Sequence, residues 1–131
     1  MKIYTSYFGK IKKLKDNGIV PIGIARFPPK QVFIRSIFEL SPRPDMLRMS
    51  EEQYDREFWK ILSKLEPSEM LKRMEEISGG WDCALLCFEK SGDPCHRYMV
   101  AEWLNEKLGL DITEYDYQPA KQPEAVQGSL F

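Results

Sequence analysis

Three consecutive residues in the C-terminal third of the chain have side chains that could carry out chemistry. Cys95, His96 and Arg97 directly follow Asp93 and Pro94. A thiol can act as a nucleophile, an imidazole can transfer a proton, and a guanidinium can bind phosphate or carboxylate through two parallel hydrogen bonds. These residue types predict a catalytic pair, Cys95 and His96, beside an anion-binding Arg97.

The surrounding residues predict that this triplet lies at the start of a helix. The apolar run over 84–88 is typical of a buried strand, and the polar stretch after it is typical of a tight turn. Asp93 suits a helix cap and Pro94 suits the first helical position, so we predict a helix over 94–108 with the triplet in its first turn. The N–H groups of a helix N-terminus attract anions and stabilise thiolates. Glu89 and Asp93 are predicted to support the site.

A second arginine is predicted to lie at the same edge of the sheet. Arg26 directly follows an apolar segment over 19–25 that is typical of a strand. If this strand runs parallel to the strand over 81–89, the residues after both strands lie on one rim, where ligands bind. At about 100° per residue, the helix would aim His96 and Arg97 at the rim and Cys95 partly away from the sheet. We predict that Arg26 and Arg97 bind one anion, and that Arg97→Ala loses anion binding but stays folded.

Each of these side chains also has a structural alternative. Cys95 could be a small apolar filler, and His96 could be a hydrogen-bonded core imidazole. The two arginines could form ion pairs with Glu89, Asp93 or Glu102. The sequence leaves these alternatives open.

The cysteines and the one histidine raise the question of a metal site. The candidate ligands are Cys83, Cys87, Cys95 and His96. Zinc–sulfur bonds of about 2.3 Å place two ligand sulfurs within about 4 Å of each other. Four residues along a strand span about 13 Å, so Cys83 and Cys87 cannot share one ion if they share one strand. We therefore predict no metal site, no cofactor and a core position for Cys83, and leave a Cys87–Cys95 redox pair open.

Strands and helices alternate along the part of the chain that must position these residues. The predicted strands cover 2–8, 19–25, 81–89 and 110–117, and the predicted helices cover 9–16, 50–65, 68–78 and 94–108. The segment over 31–40 is β-rich but ambiguous, and 41–49 is predicted to be a loop. Ser50 is predicted to cap the helix over 50–65, and Pro21, which lacks an N–H, is expected at the start of its strand or on an edge. This alternation predicts a single-domain α/β fold over 1–117, with a mainly parallel sheet flanked by helices in Rossmann-like layers. Residues 118–131 lack periodicity and are predicted to form a flexible tail.

The composition excludes several classes of protein. The chain has 131 residues and a net charge of −1, so any nucleic-acid-binding surface must be local, such as the lysines at 10, 12, 13 and 15. No apolar stretch approaches the roughly 20 residues that span a bilayer, so we expect no membrane partner. The odd number of cysteines and the lack of a signal-peptide pattern at the N-terminus lead us to expect a cytoplasmic location.

The strand and the triplet together resemble the signature of the domain-of-unknown-function 488 family. The matching residues are Leu85-Leu86-Cys87-Phe88-Glu89-Lys90, followed by Cys95-His96-Arg97 and an amphipathic helix. The family also has an Asp-x-Arg-x-x-Pro-like segment after its second strand. Arg26 agrees with it, while Ile24 stands where an acidic residue is usual. The first strand leads to Ser6-Tyr7-Phe8-Gly9 in place of a Gly-His-Ser-like turn. The resemblance implies an α/β fold and a shared polar site, without a settled activity.

The last five residues resemble a second known pattern. Gln127-Gly128-Ser129-Leu130-Phe131 is similar to the pentapeptide through which bacterial replication and repair proteins dock on the DNA sliding clamp. Leu130 and Phe131 would fill a hydrophobic groove, and Gln127 and Ser129 would add hydrogen bonds. The alternative is an ordinary terminus that packs on its own domain.

These observations lead to one functional hypothesis and two alternatives. The first is an enzyme that acts on a phosphate-bearing ligand, such as a nucleotide or a nucleic-acid end. Arg26 and Arg97 would hold the anion, and His96 or Cys95 would transfer a proton or attack as a nucleophile. The second is a non-catalytic nucleotide- or nucleic-acid-binding module that its tail recruits to the sliding clamp. The third is a thiol redox protein.

Overall fold

A five-stranded sheet forms the centre of the protein. The computed structural model describes residues 1–88 and 95–116. The strands are β1 (Ile3–Tyr7), β2 (Val20–Gly23), β3 (Arg35–Ser36), β4 (Cys83–Cys87) and β5 (Thr113–Glu114). Their order is β3-β2-β4-β1-β5, and every neighbouring pair is parallel. The predicted α/β fold with a parallel sheet is confirmed.

The helices lie between the strands in the chain. They are α1 (Ile11–Asp16), α2 (Glu51–Ser63), α3 (Pro67–Ser78) and α4 (His96–Leu108). Three short 3-10 segments occupy Phe8–Lys10, Phe38–Leu40 and Pro44–Arg48. The last of these lies inside the segment that was predicted to be a loop. Among the described residues, no helix is long and apolar enough to cross a bilayer.

Strand β4 separates the two apolar layers of the core. Cys83 and Leu85 pack in the larger layer with residues of α2, α3 and α4. Ala84 and Leu86 pack in the smaller layer with Leu14 of α1. All five residues of β4 are buried, which explains why its sequence is a continuous apolar run. Cys87 follows Cys83 and Leu85 in the alternation, so it lies on the α4 side of the sheet.

The ends of the long helices follow local signals in the sequence. The Ser50 hydroxyl accepts a hydrogen bond from the backbone N–H of Gln53 at 3.2 Å, which confirms its predicted capping role. Helix α3 begins at Pro67, one residue earlier than predicted, because proline suits the first helical turn. Gly79 ends α3 with a φ of 69°, in the left-handed region that glycine adopts without strain.

Pro21 lies in β2 where its missing N–H leaves no gap in the sheet. The N–H of Val20 donates to the carbonyl of Asp82 on the β4 side, so the next backbone nitrogen points to the β3 side. Strand β3 pairs only with Ile22 and Gly23. The backbone nitrogen of Pro21 therefore points to a place where β3 has no residue to pair with it. This agrees with the expected position at the start of a strand or on an edge.

Candidate functional site

A cleft opens at the carboxyl ends of β2 and β4, which are neighbouring parallel strands. It has a volume of about 640 Å³. Arg26 reaches it from the turn after β2, Cys87 from the last position of β4, and Cys95 and His96 from the start of α4. The structure thus brings three predicted site residues, Arg26, Cys95 and His96, to one cleft.

The start of α4 differs from the prediction. The helix begins at His96, and Cys95 is its N-cap with φ −162° and ψ 147°. Because the backbone of Cys95 is extended, its side chain does not follow the helical wheel that aimed it away from the sheet. The placement of Cys95 in the first turn was wrong for this reason. Glu89, Asp93 and Pro94, which were predicted to support and begin this helix, lie outside the described residues.

The extended conformation of Cys95 lets its sulfur meet that of Cys87, and the two residues form a disulfide bond. Both cysteines line the cleft, but Cys87 is only 1% exposed, whereas Cys95 is partly exposed. A reagent that enters the cleft therefore reaches the sulfur of Cys95 before that of Cys87.

Cys83 is set apart from this pair. It occupies the other end of β4 as a buried thiol. Burial and the nearby negative charge of Asp82 raise the pKa of Cys83 to about 12, so it stays protonated and unreactive at neutral pH. The structure agrees with the core position predicted for Cys83.

His96 is held in one orientation beside the disulfide. Its Nε2–H donates to the carbonyl oxygen of Ile24 at 2.6 Å, and the ring of Phe58 packs edge-on against the imidazole. Because a carbonyl oxygen can only accept, the proton of the neutral ring lies on Nε2 and the lone pair lies on Nδ1. Nδ1 is 3.8 Å from the sulfur of Cys95. His96 is thus both a hydrogen-bonded core residue and a neighbour of the disulfide.

The imidazole of His96 stays neutral over the physiological range. Burial lowers its pKa to about 4; the carbonyl of Ile24 opposes this shift, and the positive charge of Arg97 adds to it. A base this weak transfers protons poorly at pH 7, because proton transfer is most efficient when the pKa lies near the working pH. Its burial and its fixed hydrogen bond to Ile24 therefore favour an orienting role for His96 over general base catalysis.

This low pKa predicts that acid destabilises the oxidised protein, in which Cys87 and Cys95 form the disulfide, through the protonation of His96. The unfolded chain binds a proton at about pH 6.5, whereas the folded protein binds it only near pH 4. The neutral His96 makes its full contribution to the free energy of unfolding above pH 6.5. This contribution falls by about 3 kcal/mol as the pH is lowered to about 4. Urea unfolding at pH 7 and pH 4 measures the change, with His96→Gln as the comparison. A loss of the same size in both proteins would contradict this assignment.

Arg97 is fully buried beside Cys87 and is not among the described residues that line the cleft. Its Nε and Nη2 donate to the two carboxylate oxygens of Glu114, each at 3.0 Å. Nη1 donates to the sulfur of Cys87 at 3.1 Å, and Nη2 also donates to the hydroxyl of Tyr98. Thr5 donates to the same carboxylate of Glu114 at 2.6 Å.

The structure therefore does not place Arg97 with Arg26 around one anion. Arg97 forms an ion pair, as its structural alternative proposed, but with Glu114 of β5. Of the three acidic residues considered from the sequence, Glu89 and Asp93 lie outside the described residues. Arg26 does line the cleft, and its Nε donates to the carbonyl of Pro42 at 3.0 Å. Within residues 1–88 and 95–116, Arg26 forms no ion pair with a carboxylate.

The walls of the cleft are largely apolar, a property that the sequence analysis missed. They combine side chains from the turn after β2, the segment before α2, the end of β4 and the first turns of α4. The apolar wall residues are Ala25, Phe27, Met46, Leu47, Met49, Phe88 and Met99. Phe27, Leu47 and Phe88 are 60%, 58% and 52% exposed, so large apolar surfaces stand at the mouth. The run Met46-Leu47 inside a predicted loop was the available signal.

One family comparison bears on this site. A family model, DUF488-N3a, described as the active DUF488-N3 subclade, matches residues 3–108. The chain belongs to the DUF488 family. The DUF488 match extends from β1 to the end of α4 and includes Arg26, Cys87, Cys95, His96 and Arg97. The resemblance seen in the sequence is confirmed. No curated protein and no solved structure matches the chain.

Proposed function

We propose that this DUF488 protein carries out thiol–disulfide exchange in the cleft. The observation that carries the proposal is the disulfide between a cleft-lining Cys95 and a buried Cys87. A disulfide with one accessible sulfur gives an incoming thiol a single point of attack. The description of the matched subclade as active agrees with a reactive site.

The reaction begins when a substrate thiolate attacks the sulfur of Cys95. A bond forms between the substrate sulfur and Cys95, the Cys87–Cys95 bond breaks, and its electron pair stays on Cys87 as a thiolate. Arg97 stabilises this leaving group, because its Nη1–H lies 3.1 Å from the sulfur of Cys87. A leaving thiolate that is stabilised in this way departs faster.

A second substrate thiolate then completes the exchange. It attacks the substrate sulfur of the mixed disulfide and releases Cys95 as a thiolate. The substrate dithiol is now a disulfide, and the protein disulfide is now a dithiol that holds the two electrons and, after protonation, two protons. Cys95 caps the 13-residue helix α4, whose N-terminal dipole favours a thiolate at this position.

The lining of the cleft indicates the kind of thiol that fits. Apolar walls bind an aliphatic or aromatic body, and Arg26 binds a carboxylate or phosphate attached to it. The anion-binding role predicted for Arg26 is therefore kept here as part of substrate recognition. The other roles predicted for a phosphate-ligand enzyme are not part of this proposal and stay predictions. Arg97, which was predicted to bind the same anion as Arg26, forms an ion pair with Glu114.

Dihydrolipoate, an aliphatic dithiol with a carboxylate, tests this proposal, and uncharged dihydrolipoamide is its control. We expect dihydrolipoate to reduce the oxidised protein roughly tenfold faster than it reduces Arg26→Gln, because a hydrogen bond to a charged group contributes about 1.5–3 kcal/mol. The amide should reduce both proteins at similar rates. The readout is the appearance of Cys87 and Cys95 thiols by alkylation and mass spectrometry. The reference is a solvent-exposed disulfide. If neither dithiol reduces the Cys87–Cys95 disulfide faster than this reference, the result would contradict the proposal.

The location and the partner expected from the sequence belong to the same proposal. We infer a cytoplasmic protein of DNA metabolism whose residues 127–131 dock on the sliding clamp; these residues lie outside the described part of the chain. A pull-down with purified clamp should recover the full chain and lose a version that lacks 127–131. Equal recovery of the two would remove the clamp from the proposal and leave the cleft chemistry unaffected.

A further inference from the structure

The disulfide pair and its neighbouring histidine form a cluster with the donor atoms of a metal site. The sulfurs of Cys87 and Cys95 and a ring nitrogen of His96 all lie within 4.8 Å of one another. We propose that the reduced protein binds a zinc ion through Cys87, Cys95 and His96, with a fourth coordination position open to the cleft. This inference uses the same cysteine pair as the proposed function, but it does not require exchange with an external thiol.

The spacing of the donor atoms suits a tetrahedral zinc ion. Zinc–sulfur bonds of about 2.3 Å and zinc–nitrogen bonds of about 2.0 Å place the ligand atoms about 3.5–3.8 Å apart. Nδ1 of His96 is already 3.8 Å from the sulfur of Cys95. The main adjustment is the separation of the two sulfurs, which reduction of the disulfide permits.

The surroundings of His96 and Cys87 favour the form of each that binds a metal. The carbonyl of Ile24 holds the proton of His96 on Nε2, so the lone pair of Nδ1 faces the cysteines. This contact is typical of metal-binding histidines, whose second nitrogen donates to a carbonyl or carboxylate. Arg97 donates to the sulfur of Cys87 and thereby favours its thiolate. Because Glu114 neutralises Arg97, the guanidinium repels a cation less than a lone positive charge would.

The ligand set excluded on the sequence was one in which Cys83 and Cys87 share an ion. These two residues do lie at opposite ends of β4. The three-residue cluster does not include Cys83. Among the described residues, no further histidine, cysteine or carboxylate joins these three as a fourth ligand. Three protein ligands beside a cleft are the arrangement of a zinc site that keeps one position for water or substrate.

Metal binding and the disulfide exclude each other. A dithiol reductant converts the disulfide into two thiols as it becomes a disulfide itself, and zinc then displaces the two thiol protons. A disulfide oxidant such as oxidised glutathione reverses this sequence: it takes the two electrons and becomes two thiols, the Cys87–Cys95 disulfide forms again, and the ion is released. The redox state of one cysteine pair would therefore determine whether the cleft holds a metal.

Cobalt and zinc titrations of the full chain test this proposal. The protein is reduced, freed of reductant under argon and titrated with Co²⁺, whose thiolate charge-transfer absorption reports sulfur ligation. Zinc is then added to displace the cobalt. We expect one ion per chain, and at least tenfold weaker binding in Cys95→Ser and His96→Gln. His96→Gln retains a donor for Ile24 but lacks the Nδ1 lone pair.

Cys83→Ala is the matched control and should bind like the unchanged protein, since Cys83 lies outside the cluster. The oxidised protein should bind no cobalt through sulfur. Circular dichroism shows whether each variant is folded, and an unfolded Cys95→Ser would be replaced by alkylation of Cys95 in the reduced protein. The proposal is overturned if no thiolate absorption develops, or if Cys83→Ala weakens binding as much as the other variants. Exchange rates of the zinc-free protein are measured separately, so a failure here does not count against the proposed exchange.

Discussion

Replacing Arg97 with alanine is expected to lower the free energy of unfolding by about 3–5 kcal/mol. Arg97 is 0% exposed and its partner Glu114 has a side chain that is 6% exposed. The substitution would leave the carboxylate of Glu114 buried without its two guanidinium hydrogen bonds, at 3.0 Å each. An uncompensated buried charge costs much more than an ordinary lost contact. The measurement is urea unfolding at pH 7.

This expectation reverses the one drawn from the sequence, in which Arg97→Ala kept the fold. A double-mutant cycle isolates the ion pair. Arg97→Met and Glu114→Leu should each lower the free energy of unfolding. The double variant should lose much less than the sum of the two single losses, because it removes both charges. Arg43→Ala is the control, since Arg43 forms its ion pairs with Asp45 and Glu57 at the surface and should change little. Equal losses for Arg97→Ala and Arg43→Ala would show that the buried pair carries no special weight.

Replacing Cys95 with serine is expected to abolish exchange, down to the rate measured without protein. Cys95 is the sulfur that the cleft exposes, and Cys87 behind it is 1% exposed. The assay follows the oxidation of dihydrolipoate by oxidised glutathione, in which the protein is reduced by the first and reoxidised by the second. Cys87→Ser should also lose turnover, because the disulfide can no longer form.

The matched control for both variants is Cys83→Ala, which removes the third cysteine of the chain. Cys83 is buried at the far end of β4, and its thiol stays protonated. We expect turnover within about twofold of that of the unchanged protein, since Cys83 makes no part of the site and core substitutions of similar size are tolerated. A large loss of turnover in Cys83→Ala, or full turnover in Cys95→Ser, would place the reactive sulfur elsewhere.

The sequence predicted the elements whose signals are local. The apolar run of β4, the Ser50 cap of α2 and the glycine that ends α3 all act within a few residues, so their structures follow from neighbouring side chains. Strand β3 stayed ambiguous within 31–40 because it has only two residues and forms through its pairing with β2. The start of α4 was displaced because Asp93 and Pro94 looked like a better cap than Cys95.

The site was harder to predict than the fold because its decisive contacts join distant parts of the chain. His96 of α4 bonds to Ile24, 72 residues away, and Arg97 of α4 bonds to Glu114 of β5, 17 residues away. Nothing in the local pattern distinguishes an arginine that faces a cleft from one that faces a buried carboxylate. The sequence pointed to the residues around the helix start, but only the tertiary contacts separate Arg26, which lines the cleft, from Arg97, which pairs with Glu114.

Mapping the mixed disulfide shows which protein sulfur a substrate reaches. The variants Cys87→Ser and Cys95→Ser, each in the Cys83→Ala background, are mixed with oxidised glutathione, one half of which leaves as a thiol when the adduct forms. The adduct is located after an acid quench by peptide mass spectrometry. We expect a stable glutathione adduct on Cys95 in the first variant, because neither Cys87 nor a second thiol on the adduct is present to displace it. In the second variant we expect little or no adduct on the buried Cys87. An adduct that forms as fast on Cys87 as on Cys95 would contradict attack at Cys95.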